Sequence, residues 1–167
     1  MLVLGIDPGT ATTGYGLVRE NAQGGLEVVA YGVISTPAGL PLEQRLQQIY
    51  QELNELILLH RPQSGAVEKL FFSRNVTTAI SVSHARGVIL LSMVQAGLSI
   101  GEYTPMQIKQ SVAGYGGAEK RQMQLMVQAL LGLSELPRPD DAADALAVAI
   151  CHLHSYRLAD LTDREIE

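Results

Sequence analysis

An α/β fold with a mixed five-stranded sheet flanked by helices is predicted by three observations. The apolar run Met1–Ile6 ends on a single carboxylate, Asp7, followed at once by Pro8 and Gly9; a continuous apolar run reads as a strand covered on both faces. Two more strand-like runs follow within the first 35 residues, joined by short turns, which makes three antiparallel strands. Segments of helical period then alternate with short apolar runs, the pattern by which helical crossovers add parallel strands.

The second strand is Thr12–Val18 and the third Leu26–Ile34, with Gln23-Gly24-Gly25 as the hairpin turn between them. Pro37 and Pro41 bracket a loop. From Leu42 to His60 the apolar residues Leu46, Ile49, Leu53, Leu56 and Ile57 recur at three- and four-residue steps, the pattern of an amphipathic helix that Pro62 stops. Ala66–Glu68 is a short strand expected beside the first. Thr77–Ala96 is a long helix whose second half is apolar nearly all round, so it is expected to be covered by the sheet and by a second subunit. Leu98–Tyr103 is the fifth strand, and Pro105–Val112 a short helix carrying Lys109. A glycine-rich loop at 113–117 leads to a helix over Glu119–Leu131. Asp140 or Asp141 caps a last helix, Ala142 to about Tyr156. Residues 1–157 form one domain, and 158–167 a polar tail expected to fray.

Composition narrows the function classes. The chain has 167 residues, 47% hydrophobic and 17% charged, as in an ordinary globular domain. No stretch reaches the roughly 18 apolar residues of a membrane span, and no basic segment precedes an apolar one as in a signal peptide. The one cysteine, Cys151, has no internal disulfide partner, which fits a reducing cytoplasm, and a buried packing role is expected for it. The net charge of −5 is unevenly spread. Between Arg61 and Arg121 seven Lys or Arg stand against three acids, leaving five against fourteen elsewhere. A basic middle between acidic ends is compatible with one cationic face.

Four acids stand where an acid needs explaining. Asp7 ends the first strand, and a buried carboxylate there needs a metal ion, a lysine or the N–H groups of the Pro-Gly turn. Glu68 is the acid of the apolar strand expected alongside. Asp141 and Asp144 share a face on the first turn of the last helix. If that turn packs against the ends of the two strands, four carboxylates converge and raise one another's pKa. Divalent cations resolve such repulsion, and a carboxylate set suits Mg²⁺. Two such ions can clamp the attacking and leaving oxygens of a phosphodiester. The plainer alternatives are a turn-capping role for Asp7 and a helix-capping role for Asp140 and Asp141.

The motifs that carry these acids are Gly5-Ile6-Asp7-Pro8-Gly9 with Thr13-Gly14-Tyr15-Gly16, Glu68-Lys69-Leu70-Phe71, His84-Ala85-Arg86-Gly87, Gly116-Gly117-Ala118-Glu119-Lys120 and Asp141-Ala142-Ala143-Asp144-Ala145-Leu146-Ala147. In this order, over nearly the whole chain, they resemble the RuvC family of Holliday-junction resolvases. The resemblance implies a ribonuclease H-like fold and a homodimer that makes paired symmetric nicks in four-way junction DNA during recombination and repair. It implies Mg²⁺ or Mn²⁺, two ions per active site, and in-line attack of a metal-activated water. The family's acidic positions match Asp7, Glu68, Asp141 and Asp144, and Asp140 is an extra acid outside that set. The resemblance also implies the branch-migration proteins RuvA and RuvB as partners, a cytoplasmic location and no membrane.

Candidate DNA contacts are Lys109, Lys120 and Arg121 around the glycine-rich loop, and Phe71 with Arg74 beside it. Lys109 and Lys120 match basic positions of the family near the scissile phosphate, and phosphate contacts of this kind position a substrate without reading its sequence. Phe71 or Phe72 could present a ring to an unstacked base, and the resemblance favours Phe71. Arg86 sits on a basic face or on solvated helix surface. His84, His152 and His154 are expected to be surface or packing residues. Three other readings remain: a ribonuclease H-like nuclease acting on another structured nucleic acid, a junction-binding module without catalysis, and a single-domain relative of ATP-binding phosphotransferases. The last resembles the opening Asp-x-Gly-Thr turn but lacks a second domain to close on the nucleotide.

Overall fold

The computed structural model describes residues 1–70 and 76–164. Its centre is β1 (Leu2–Asp7), paired antiparallel with β2 (Thr12–Glu20), which pairs antiparallel with β3 (Leu26–Ser35). Helix α1 (Leu42–His60) crosses over to β4 (Ser64–Glu68), which runs parallel to β1. Helix α2 (Val76–Gln95) leads to β5 (Ser99–Tyr103), parallel to β4. The sheet order is β3-β2-β1-β4-β5, the three antiparallel strands plus parallel additions read from the sequence. Helices α3 (Pro105–Ala113), α4 (Lys120–Leu131) and α5 (Asp140–Arg164) follow.

The two-residue period of a strand divides β1 between two cores. Leu4 and Ile6 pack with Ile49 and Leu53 of α1 and with Ile89 and Met93 of α2. Val3 faces the other way, into the cluster containing Ala66, Ile108, Met123 and Leu146. Asp7 therefore lies on the α5 side of the sheet. The same alternation in β4 puts Val67 on the α1/α2 side and Ala66 and Glu68 on the α5 side. Both acids end their strands on one face.

Helix α5 rides directly on the sheet backbone. A Cβ at Gly5 would come within 2.6 Å of the Ala149 nitrogen, and one at Gly14, the β2 partner of Asp7, would collide with the Asp141 carbonyl. Small residues on both sides of this contact (Ala142, Ala145 and Ala149 are all fully buried) allow that approach. The glycine beside the strand end thus sets the first turn of α5 close to Asp7.

Several boundaries differ from expectation. Helix α5 begins at Asp140 and runs on to Arg164, past Tyr156. No Pro or Gly interrupts that stretch, and polarity alone does not break a helix. Arg157 also anchors it, pairing with Glu20 at 2.7 Å and donating to the Gly24 carbonyl at 3.0 Å. Asp140 does not cap the backbone: its carboxylate accepts from Gln124 and pairs with Lys120. In α2, Ala85, Ile89 and Met93 are buried, while Ile80, Leu91 and Val94 are 52%, 52% and 62% exposed. Cys151 is buried, as its packing role requires.

Candidate active site

Ile6 of β1 and Val67 of β4 are the last paired residues of the two strands, and each is followed by an acid, Asp7 and Glu68. The carboxyl groups of these two acids hydrogen-bond to each other. A hydrogen bond between two carboxyls needs one of them protonated, which the upward shift at Asp7 favours. Burial is the main reason the Asp7 carboxyl is pushed up to about 8, and the nearby charges of Glu68, Asp144 and Asp141 add to it. Glu68 is raised as well, first by burial and then by Asp144, against a lowering by its bond to Asp7 and by Lys109. The other three acids expected from the sequence, Glu68, Asp144 and Asp141, thus all act on Asp7 at the end of β1 and β4.

The turn after Asp7 is fixed by side-chain bonds. Thr13 Oγ1 donates to the Gly9 carbonyl at 2.6 Å, and Thr10 Oγ1 donates to the Ser81 carbonyl of α2 at 2.6 Å. Thr36 Oγ1 donates to the Thr10 carbonyl at 2.6 Å and accepts from Arg45 Nε at 2.7 Å. These bonds turn the chain away from the Asp7 carboxyl and tie the turn to three other elements.

Asp144 reaches the same region from α5. Its carboxyl is raised chiefly by burial, and Lys120 opposes that shift. Lys120 Nζ lies 3.5 Å from Asp144 and 3.0 Å from Asp140. Among the described residues, no three His, Cys, Asp or Glu side chains form a closed metal-holding group. Asp7 is turned to Glu68, and Asp144 to Lys120, so the convergence is of charge and not of ready-made ligands.

A cleft of about 260 Å³ opens beside these groups, lined by Glu68, Lys109, Lys120 and Asp144, with Ile108 and Met123 on its apolar side. Lys109 is placed by a capping box at the start of α3. The Gln107 N–H donates to Thr104 Oγ1 at 3.1 Å, and the Thr104 N–H donates to Gln107 Oε1 at 2.9 Å. Lys109 follows two residues after Gln107. Lys120 is the first residue of α4, beyond the glycine-rich loop. Arg121 does not line this cleft. It faces a separate depression of about 750 Å³ with Gln124, Arg138, Asp140 and Asp141. Phe71 and Arg74 lie outside the described residues.

Two residues support the site: Arg86, which the sequence leaves open between a basic face and solvated surface, and His152, a packing histidine as expected. Arg86 is no solvated surface group: its guanidinium pairs with Glu102 of β5, and its Nε donates to the Glu68 carbonyl at 3.4 Å. The signal was a lone arginine in an apolar helix, opposite two strands that each carry one acid. His152 is buried. Ser64 Oγ donates to the Ser99 carbonyl, so it accepts from His152 Nε2 at 2.7 Å, while Tyr103 donates to Nδ1 at 2.8 Å. Burial holds this imidazole below its ordinary pKa, in the neutral form those bonds require. Tyr103 is the ladder partner of Glu68, so the network fixes α5 to the strand that carries Glu68.

Comparison with known proteins accords with this architecture. Residues 3–152 match the family model described as crossover junction endodeoxyribonuclease RuvC. The protein of that name from Syntrophomonas wolfei is 60% identical over 163 residues, covering 98% of this chain and 94% of its own length. The structure of Thermus thermophilus RuvC superposes with a TM-score of 0.89 at 38% identity, covering 95% of this chain and 97% of that one. The Thermus thermophilus protein in complex with a Holliday junction substrate gives 0.86 at 35% identity, covering 95% and 96%. The sheet order and flanking helices are those of the ribonuclease H-like fold of these proteins. This chain belongs to the RuvC family of crossover junction endodeoxyribonucleases, hydrolases of DNA.

Proposed function

We propose that the protein resolves Holliday junctions by metal-dependent hydrolysis at Asp7, Glu68, Asp141 and Asp144. The observation that carries this reading is the Asp7–Glu68 pair, half-buried at the end of two parallel strands with both carboxyls pushed upward chiefly by desolvation, beside a cleft that opens onto two lysines. Carboxyls whose charged forms are disfavoured first by desolvation and then by neighbouring acids are stabilised by an oxygen-seeking dication. The donor set is oxygen-only, which fits Mg²⁺ or Mn²⁺. Asp7, Glu68 and Asp144 would hold the ions, with Asp141 contributing from the same helical turn. Bound there, such ions supply charge to activate water and to stabilise the leaving oxygen of a phosphodiester.

The chain's own residues do the rest. Lys109 and Lys120 stand at the cleft, where their ammonium groups would neutralise and orient the phosphate to be cut. Arg121, across the start of α5, would hold a phosphate further along the strand, and Phe71 with Arg74 is proposed to meet an unstacked base. Paired nicks need two active sites, and the exposed face of Ile80, Leu91 and Val94 on α2 supports a homodimer. Action alongside RuvA and RuvB, in the cytoplasm, accompanies this reading. No helix among the described residues is long and apolar enough to cross a membrane.

The test is incubation with a synthetic four-way junction, a linear duplex and an RNA–DNA hybrid, with and without Mg²⁺. Paired symmetric nicks confined to the junction and dependent on the metal are expected. Cleavage of the hybrid instead would favour a ribonuclease H-like activity, and junction binding without any cleavage would make the protein a recognition module.

A further inference from the structure

We propose that Asp140, which lies outside the family's acidic set, is a positioning residue that holds the Lys120 ammonium over the cleft. The inference deepens the nuclease reading and rests on it. Helices α4 and α5 begin side by side, Lys120 being the first residue of one and Asp140 the first of the other. The two helices grip each other through matched pairs four residues apart, which lie on one helical face. On α4 these are Lys120 and Gln124; on α5, Asp140 and Asp144. Asp140 accepts from Gln124 Nε2 at 2.9 Å through one oxygen and pairs with Lys120 Nζ at 3.0 Å through the other. Lys120 reaches Asp144 more distantly, at 3.5 Å.

This geometry separates two tasks. Lys120 has four rotatable carbons and a compact ammonium with three donors. With Asp144 as its only anion, it would settle on that carboxylate and compete for a group the reaction needs. Asp140 gives it a second, nearer anion, itself held from behind by Gln124. When Asp144 turns to a cation, Lys120 keeps an anchor at the rim of the cleft. Two of its donors face Asp140 and Asp144, and the third is left for a phosphate oxygen. Lys120 and Asp140 are 56% and 59% exposed, so substrate can reach the ammonium without moving either helix.

Asp140 acts through Lys120, and a double-mutant cycle reads that directly. Single-turnover cleavage of a four-way junction at saturating enzyme is measured for the wild type, Asp140→Ala, Asp140→Asn, Lys120→Ala and the Asp140→Ala/Lys120→Ala double variant. Junction affinity is measured in parallel without divalent metal. Asp140→Ala is expected to slow cleavage about two- to fivefold, the range an exposed ion pair supports, with affinity changed less than twofold. Asp140→Asn, whose amide oxygen still accepts from an ammonium, restores most of the rate. In the Lys120→Ala background, Asp140→Ala makes no further difference. Gln124→Ala, which loosens the same tether without touching a charge, shows a smaller loss that Lys120→Ala likewise masks. An Asp140→Ala variant that cuts at the wild-type rate while Lys120→Ala is slow overturns the inference and leaves the nuclease reading intact. So does an equal loss from Asp140→Ala with and without Lys120. A wild type that cuts no junction overturns both.

Discussion

The acids of this site sit in two settings. At the ends of β1 and β4, Asp7 and Glu68 are fixed by the ladder, turned into the protein and bonded to each other. At the start of α5, Asp140 and Asp144 are more open and are countered by one lysine. The same functional group is therefore held rigidly, with no side-chain ion pair among the described residues, on one flank, and adjustably with one on the other. The rigid flank holds carboxyls whose charge is disfavoured chiefly by burial, a cost a cation can offset, and the adjustable flank is free to follow a substrate.

The largest expected effects break the rigid flank. Asp7→Asn and Glu68→Gln keep shape and remove a charge. Each should reduce cleavage by at least about a hundredfold while junction binding persists; single-turnover assays beside binding curves check this. The same changes should stabilise the metal-free fold at pH 8. The folded-state pKa of Asp7 is raised, so the native protein keeps a proton that the unfolded chain has released. Stability is then fullest near the ordinary carboxylate range and declines as pH rises to about 8. The loss is on the order of a few kcal/mol, reduced by the coupling to Glu68. Asp7→Asn should flatten that slope in denaturant titrations. A variant that cuts at the wild-type rate, or a slope that survives the change, would break the rigid half of the comparison.

Next in size is the effect of metal. Ligands must lose their proton before binding a cation, so Mg²⁺ competes with H⁺ at Asp7 and Glu68. The rise in thermal midpoint on adding Mg²⁺ should be several degrees at pH 9 and close to zero at pH 5.5, on the basis that about 1 kcal/mol moves a domain of this size by ~2–4 °C. A rise independent of pH would place the ions away from the Asp7–Glu68 pair. Lys120→Ala comes after this: cleavage falls about tenfold, the weight of one charge-stabilising donor at the low end, and the midpoint stays within a degree or two.

The contrast also explains what the sequence could and could not reveal. The apolar run ending on Asp7 and the short run ending on Glu68 were legible because strand period and a helical crossover leave few other arrangements. The start of α5 was legible as a helix terminus. The use of Asp140 was not, since its partners Lys120 and Gln124 come from another helix and a cap reads the same in one dimension. Arg86 was ambiguous for the same reason: an arginine in an apolar helix looks solvated until the ends of β4 and β5 are placed opposite it. Polar composition predicts fraying after residue 157, but no residue there breaks the helix, and α5 continues to Arg164.

The smallest effect sharpens the comparison most. Asp144→Asn should abolish cleavage as Asp7→Asn does, yet change stability little. Asp144 is partly exposed, and burial, which raises its pKa, is opposed by Lys120. Removing its charge relieves some repulsion at Asp7 and costs Lys120 its more distant partner, while the nearer one at Asp140 stays. The two terms have opposite sign, so the net change at pH 8 should lie within about 0.5 kcal/mol, as for most surface substitutions. Denaturant midpoints of Asp144→Asn and Asp7→Asn, measured together at pH 5.5 and pH 8, give the answer. A loss above about 2 kcal/mol for Asp144→Asn would mean that the Lys120–Asp144 pair holds α4 to α5, and the flank treated as adjustable would be structural.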